Sequence, residues 1–157
     1  MRKAILMMFL VVSSAWAGNF EDGVTAFKSK DYATALKLLR SAAEKNNASA
    51  QYNLGLMYDN GLGVQRNYAK AVKWYRLAAK QGASSAQTNL GILYANGQGV
   101  LQDNVLAHSW FNLAETSGNV DAVKGRDLVE RKMTPTQIAK AQKMARDCLA
   151  NTYKGCD

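Results

Sequence analysis

The 157-residue sequence is poor in the side chains that most often carry catalysis, because it has a single histidine, His108, and only two cysteines, Cys148 and Cys156. Without a second histidine or a convincing nucleophile, a catalytic triad cannot be assembled. Two thiols without neighbouring histidines are a poor zinc-ligand set, and their spacing differs from the Cys-x-x-Cys motif of thioredoxin-like enzymes. We therefore predict a protein without cofactor, metal site or catalytic residues, with His108 as a surface or partly packed side chain.

The chain also lacks an apolar run long enough to cross a membrane, which takes about 20 residues. Its run from Ala4 to Val12 follows the cationic Met1-Arg2-Lys3 and precedes the small residues of Ala15-Trp16-Ala17. This order is typical of a secretory signal peptide cleaved after Ala17. Since no cysteine near that position could accept a lipid, we predict a periplasmic or secreted protein without a membrane span.

Cleavage after Ala17 leaves residues 18–157, which is enough chain for one domain, and removing Arg2 and Lys3 lowers the formal net charge from +8 to +6. An exported basic protein rarely meets nucleic acid, so an anionic envelope surface or an acidic protein is the expected partner of this charge. Exported proteins meet an oxidising environment, and we therefore predict a disulfide between Cys148 and Cys156.

The clearest positive feature is an internal repeat of 36 residues. The stretch AQYNLGLMYDNGLGV at 50–64 returns as AQTNLGILYANGQGV at 86–100, and the segments 47–82 and 83–118 share 16 of 36 positions. Repeats with a period of 20 to 50 residues indicate a solenoid. Each unit has an apolar face that it cannot bury alone, so successive units stack on one another.

Each copy combines two helical patterns with a glycine-rich turn. Apolar residues recur every three or four positions in both segments, which indicates two amphipathic helices. In the first copy they are Ala50, Leu54, Met57 and Tyr58, then Ala71, Trp74, Tyr75 and Ala78. Gly61 and Gly63 suit the reversal between the helices, and Asn67, or Asp103 in the next copy, can N-cap the second helix. A phosphate-binding P-loop would need a following Lys-Ser/Thr, which this turn lacks.

The pattern A-x-x-x-L-G-x-x-Y-x-x-G-x-G-V, followed by A-x-x-W-Y-x-x-A-A and a closing glycine, resembles the Sel-one-like repeat of the tetratricopeptide superfamily. The resemblance implies an all-α, right-handed α-solenoid of helix-turn-helix repeats. Residues 47–82 and 83–118 match it closely. Residues 19–46 resemble an ordinary tetratricopeptide unit with a shorter turn. We expect Trp74 and Trp110 to fill equivalent spaces between helix layers.

The repeat fades after Gly118, and residues 119–157 are predicted to form capping helices with a disulfide-closed tail. Ala122 retains the repeat register, so a helix is expected over 119–132. Thr134, Pro135 and Gln137 form a capping-box pattern that begins a second helix. An apolar stripe along this helix indicates that it closes the exposed end of the stack.

Two surfaces are candidate binding sites. In the tetratricopeptide arrangement the free face of each first helix lines a concave groove, which here would present Tyr52, Leu56, Asp59, Asn60, Thr88, Ile92 and Asn96. Asparagine side chains can bind the backbone of an extended peptide, although Asn60 and Asn96 also suit helix termination. A basic stripe along the second helix of the central unit is either a solvated face or a docking surface for an anionic partner. It comprises Arg66, Lys70, Lys73, Arg76 and Lys80.

Two functions agree with these features. The resemblance implies a non-enzymatic adaptor that binds a peptide or protein segment in the bacterial envelope. The alternative is a binder of small ligands or cell-wall fragments, or a weak β-lactam hydrolase like the cysteine-rich branch of the family. The chain has none of the Ser-x-x-Lys, Ser-Asp-Asn and Lys-Thr-Gly motifs of β-lactamases, and it lacks the paired cysteines of that branch.

Overall fold

The computed structural model describes the backbone of residues 12–156 and side chains from Phe20 to Cys156. The predicted signal peptide, residues 1–17, lies outside the residues whose side chains are described. Over the described range the protein consists of eight helices without strands, as predicted for an all-α fold. They are α1 (Val12–Lys28), α2 (Tyr32–Glu44), α3 (Ala48–Asn60), α4 (Tyr68–Ala79), α5 (Ser84–Asn96), α6 (Asn104–Glu115), α7 (Val120–Glu130) and α8 (Pro135–Ala150).

The predicted capping residues begin their helices. The side chain of Asn67 accepts a hydrogen bond from Lys70 N at the start of α4, and Asp103 accepts from Val105 N and Leu106 N at the start of α6. Thr134 and Gln137 form the capping box of α8. Side-chain oxygens at these positions satisfy backbone N–H groups that the helix itself cannot pair.

The two glycines of each repeat turn have different tasks. Gly61 and Gly97 are left-handed C-caps, with φ of 69° and 66°. Gly99 also has a positive φ, and a Cβ there would lie 2.4 Å from the carbonyl carbon of Tyr68 at the start of α4. Gly63 approaches Tyr32 at the start of α2 in the same way. The second glycine therefore lets each turn contact the preceding unit.

Gly99→Ala is accordingly expected to destabilise the protein by more than the cost of its backbone conformation, which is about 1–2 kcal/mol. The matched control is Gly118→Ala, because Gly118 has a similar φ of 76° but no heavy atom within 4 Å of the position that a Cβ would take. Urea unfolding followed by circular dichroism measures both. If both variants lost the same free energy of unfolding, the close approach of Gly99 to Tyr68 would not contribute to stability.

Stacking places the first helices of the units on one side. Each helix from α1 to α6 packs on the next in the chain, and α3 also contacts α5 while α5 contacts α7. Because successive first helices contact one another, we infer that they line the inner side of the stack. The terminal helix α8 packs chiefly on α6, and Tyr153 beyond it lies against Gly82 in the turn before α5. This helix therefore covers the second-helix layer.

Aromatic side chains of the second helices fill the space between layers, and glycines on the first helices make room for them. Tyr75 lies on Gly55, and Phe111 lies between Gly91 and Gly125. Trp110 is fully buried, as expected. Trp74 differs from the expectation of equivalent packing, because it stays partly exposed with the Lys73 ammonium 5.8 Å from its ring centre. Trp74 packs against both apolar clusters of the core. One cluster is formed by α1, α2 and α3, and the other is formed mainly by α4 to α7.

Candidate functional site

The inner surface carries a row of apolar side chains that the core does not cover. Leu56 on α3, Ile92 on α5 and Leu128 on α7 follow one another at the repeat interval of 36 residues. Leu56 is half-buried, while Ile92 is 41% and Leu128 is 59% exposed. Leu56 also packs against the core, whereas Ile92 and Leu128 remain exposed in register on successive first helices. Exposed apolar side chains in register make this face a candidate binding surface. We call these three residues the inner row.

Polar side chains surround the α3 end of the inner row. The hydroxyl of Tyr75 donates a 3.0 Å hydrogen bond to the Asp59 carboxylate, and the rings of Tyr52 and Tyr75 lie 5.9 Å apart. Burial raises the pKa of Tyr52, and hydrogen bonds with Ser85 and Asn89 on α5 oppose this shift. Burial, followed by the charge of Asp59, raises the pKa of Tyr75 as well. Both phenols are therefore neutral at physiological pH, and they connect α3 to α5 beneath the groove.

The structure assigns different places to the remaining predicted groove residues. Asn60 and Asn96 are exposed at the ends of their helices, where the Asn60 amide donates to Leu56 O at 3.0 Å and the Asn96 amide to Gln98 Oε1 at 3.4 Å. The expectation that Thr88 lines the groove needs correction. Its side chain is buried and its hydroxyl donates to Ser84 O at 3.0 Å.

The predicted basic stripe is exposed at Arg66, Lys70 and Lys73, and each of these cations also lies near an aromatic ring. Arg66 lies 5.3 Å from the ring centre of Tyr68, and Lys70 lies 5.2 Å from that of Tyr58. Arg76 is half-buried and donates a hydrogen bond to the Tyr94 hydroxyl. Cations that stack on rings or bond to the next helix contribute to packing. The aromatic and phenolic contacts explain the positions of these side chains without an anionic partner.

Arg76 belongs to a contact that recurs between units. Arg40 donates to the Tyr58 hydroxyl at 2.9 Å, and Arg76 repeats the arrangement with Tyr94 one period later. Each pair joins the second helix of one unit to the first helix of the next. The following positions in the same register are Asn112 and Glu130, which cannot form this contact. The repeat therefore changes its chemistry at the junction between α6 and α7.

His108 occupies that altered junction, and the expectation of a surface or partly packed histidine is wrong. Its side chain is fully buried. Asn112 Nδ2 lies 2.9 Å from Nδ1, and Glu130 Oε1 lies 2.6 Å from Nε2. Because the amide nitrogen donates, Nδ1 accepts and Nε2 carries the proton shared with Glu130. Enclosed in this way, the imidazole cannot reach a substrate at the surface.

Glu130→Ala is expected to cost about 1–3 kcal/mol of folding free energy, because it leaves a buried imidazole N–H without an acceptor. Urea unfolding measures the loss, and Asp127→Ala on the exposed side of α7 is the control. The triple variant His108→Val, Asn112→Arg and Glu130→Tyr copies the preceding junction and should recover stability relative to Glu130→Ala. A Glu130→Ala protein as stable as the parent would contradict this account.

The α7 part of the inner surface was not among the groove residues predicted from the sequence. Leu128 is exposed there, with Lys124 one helical turn before it and Lys132 four residues after it in the turn that follows α7. The signal was the repeat interval itself, because Leu128 stands 36 residues after Ile92. The register persists through α7 even where the recognisable motif has faded.

Comparisons with known proteins agree with this architecture. The family model described as Sel1 repeat matches residues 18–47, 48–82 and 84–119. Over 54 residues, or 32% of this chain, the sequence is 44% identical to the ERAD-associated E3 ubiquitin-protein ligase component HRD3 of Candida glabrata, of which it covers 6%.

Solved structures are similar over more of the chain. The crystal structure of c5321, a protective antigen of uropathogenic Escherichia coli with an SLR fold, has a TM-score of 0.83 at 31% identity, over 90% of this chain and 31% of that one. A Sel1 repeat protein from Oxalobacter formigenes has a TM-score of 0.65 at 34% identity, over 68% of this chain and 44% of that one. The chain thus spans less than half the length of each of these relatives.

Proposed function

Because the chain belongs to the Sel1 repeat family, we propose that it is a non-enzymatic, exported scaffold that binds a segment of a protein partner on the inner surface of its helical stack. The single observation that carries this proposal is the inner row, Leu56, Ile92 and Leu128. A stack of repeats provides an extended inner surface on which one partner can contact several units at once. Asp59, Asn60 and Asn96 supply polar groups at the border of this surface.

The non-enzymatic part of the proposal is based on the positions of the histidine and the two cysteines. The sole histidine is buried and held by Asn112 and Glu130, so it is not placed to activate a nucleophile for an external substrate. The two cysteines are bonded to each other. These observations support a binding role over the alternative of β-lactam hydrolysis.

Export to the bacterial envelope is supported by separate features. The disulfide between Cys148 and Cys156 suits an oxidising compartment, and the N-terminal residues have the composition of a signal peptide. Among the helices described, none combines the length and the hydropathy that a membrane span requires. Two proteins with similar structures come from the bacteria Escherichia coli and Oxalobacter formigenes.

Site-specific photocrosslinking in the envelope of the native host tests this function. A photoreactive amino acid at Ile92 is expected to capture a defined protein partner, because Ile92 lies in the middle of the inner row. The same residue at Leu101 is the control, since Leu101 is 91% exposed in the turn between α5 and α6 and lies outside the groove. Mass spectrometry identifies the adducts. Hydrolysis of nitrocefin by the purified protein is assayed in parallel.

Specific capture at Ile92 but not at Leu101 supports the proposal. Equal capture at the two positions, or no adduct at Ile92, removes the inner surface as the binding site. Turnover of nitrocefin would contradict the non-enzymatic part of the proposal.

A further inference from the structure

The inner row changes chemistry from one end to the other. Each of its members is flanked by two side chains, one helical turn before and one after it. The residues at these positions are Tyr52 and Asn60, then the buried Thr88 and the exposed Asn96, and finally Lys124 and Lys132, of which Lys132 lies in the turn after α7. The first two pairs are uncharged, whereas the third is cationic on both sides. The charge of the inner surface therefore differs between the two ends of the stack, and the positive end lies on α7.

The two lysines at the α7 end are open to a partner. The side chain of Lys124 is 71% exposed, and that of Asp121, its partner at 3.4 Å, is 79% exposed. Exposed pairs of this kind contribute little, so an acidic ligand can compete with Asp121. Lys132 is exposed as well. Leu128 lies between the two lysines in sequence, and its apolar side chain is exposed to the same segment of a partner.

The spacing of the inner row distinguishes between ligand conformations. Packed helices lie about 8–10 Å apart, so its side chains recur at about that interval. Seven residues of an α-helix rise about 10.5 Å, and every seventh side chain returns to nearly the same face. In a β-strand the side chains of one face repeat at about 6.6 Å, which does not match. A polyproline II segment also repeats, at about 9.3 Å, but such segments dock in grooves lined by aromatic side chains, whereas the inner row is aliphatic. An α-helix is therefore the ligand that best matches successive units.

We propose that the inner row binds an amphipathic helix of a protein partner, with an apolar side chain at every seventh position and acidic side chains at the end that lies on α7. This inference rests on the proposed function and adds the conformation, charge and orientation of the bound segment. A second copy of this chain is a poor occupant, because it carries the same excess of basic residues. Charge complementarity selects an acidic partner.

Fluorescence anisotropy with designed peptides tests the proposal on the full mature protein. The probe is a labelled, stapled helix of about 18 residues, with leucine at every seventh position and glutamates around the last leucine. One comparison peptide has lysines in place of the glutamates. A second is unstapled and has the same composition, with its leucines at every second position. The parent protein is expected to bind the acidic helix at least tenfold more tightly than either comparison peptide.

Paired charge reversals locate the acidic end of the bound helix. Lys124→Glu with Lys132→Glu should weaken binding of the acidic helix at least tenfold and should strengthen binding of the lysine peptide. The matched control is Lys140→Glu with Lys154→Glu, which changes the net charge equally at exposed positions on α8 and the tail. This control should bind the acidic helix like the parent. Melting curves confirm that both variants are folded.

Each other outcome overturns the inference. Equal weakening by both lysine pairs would mean that binding depends on net charge alone. Preference for the unstapled peptide would indicate an extended ligand, and failure of all three peptides would exclude the acidic helix. If photocrosslinking at Ile92 still captures a partner while the peptides fail, the proposed function stands and only the helical, acidic character of the ligand is wrong.

Discussion

Trp110→Ala is expected to lower the free energy of unfolding by about 3–5 kcal/mol, the largest loss that we predict for any single substitution in this protein. The indole is fully buried in the cluster that joins α4, α5, α6 and α7, so truncation leaves a cavity enclosed by several helices. Since folded domains are stable by only about 5–15 kcal/mol, this loss is severe. Differential scanning calorimetry should show the melting temperature falling by roughly 10–20 °C.

Two further tryptophan variants test the reason for that loss. Trp74→Ala should cost less, because Trp74 is partly exposed although it stands at the equivalent repeat position. Trp110→Phe should recover much of the stability, since it refills the cavity and removes an indole N–H that is buried without a hydrogen-bond partner among the described residues. Equal destabilisation by the two alanine variants would contradict the difference in burial.

Loss of the disulfide is expected to cost about 2–3 kcal/mol in the chain-entropy model for a short loop. Cys148 and Cys156 lie eight positions apart at the end of α8, and both are buried. Between them, Thr152 and Tyr153 have positive φ values of 51° and 62°, which residues other than glycine seldom adopt. The bond therefore holds the tail in a conformation that places Tyr153 against Gly82.

Urea unfolding with and without a reducing agent measures this contribution. The double variant Cys148→Ala with Cys156→Ala should match the reduced parent and should not respond to the reductant. Mass spectrometry of the exported, unreduced protein should recover the cross-linked peptides. Two free thiols in that material, or a reductant effect on the double variant, would contradict the assignment.

Local chemistry made much of the fold predictable from the sequence. The 36-residue repeat identified the paired helices because apolar periodicity and turn glycines are properties of neighbouring residues. Helix starts at Asn67, Asp103 and Thr134 were predictable for the same reason, since a capping side chain bonds to backbone only two or three residues away. The pairing of the two cysteines followed from their number and from the expectation that the chain is exported.

The inner surface was only partly predictable. The free face of α3 and α5 followed from helical periodicity, so Leu56 and Ile92 were expected there. Thr88 sits at the border of that face, where one position decides whether a side chain contacts the next first helix or solvent, and it is buried. Lys124 and Lys132 gained their significance only when α7 was found to continue the stack.

The sequence by itself determined the helical units, their register and their stacking, because each depends on patterns within about one repeat. Tertiary structure alone decided which equivalent positions behave differently. His108 stands in the register of Val72, yet it is enclosed with Glu130 because the Arg76–Tyr94 contact has no counterpart at that junction. Trp74 and Trp110 likewise share a register but differ in burial. The burial of a side chain and the identity of its hydrogen-bond partner depend on helices that are distant in the chain. A local sequence pattern does not determine the distance between those helices.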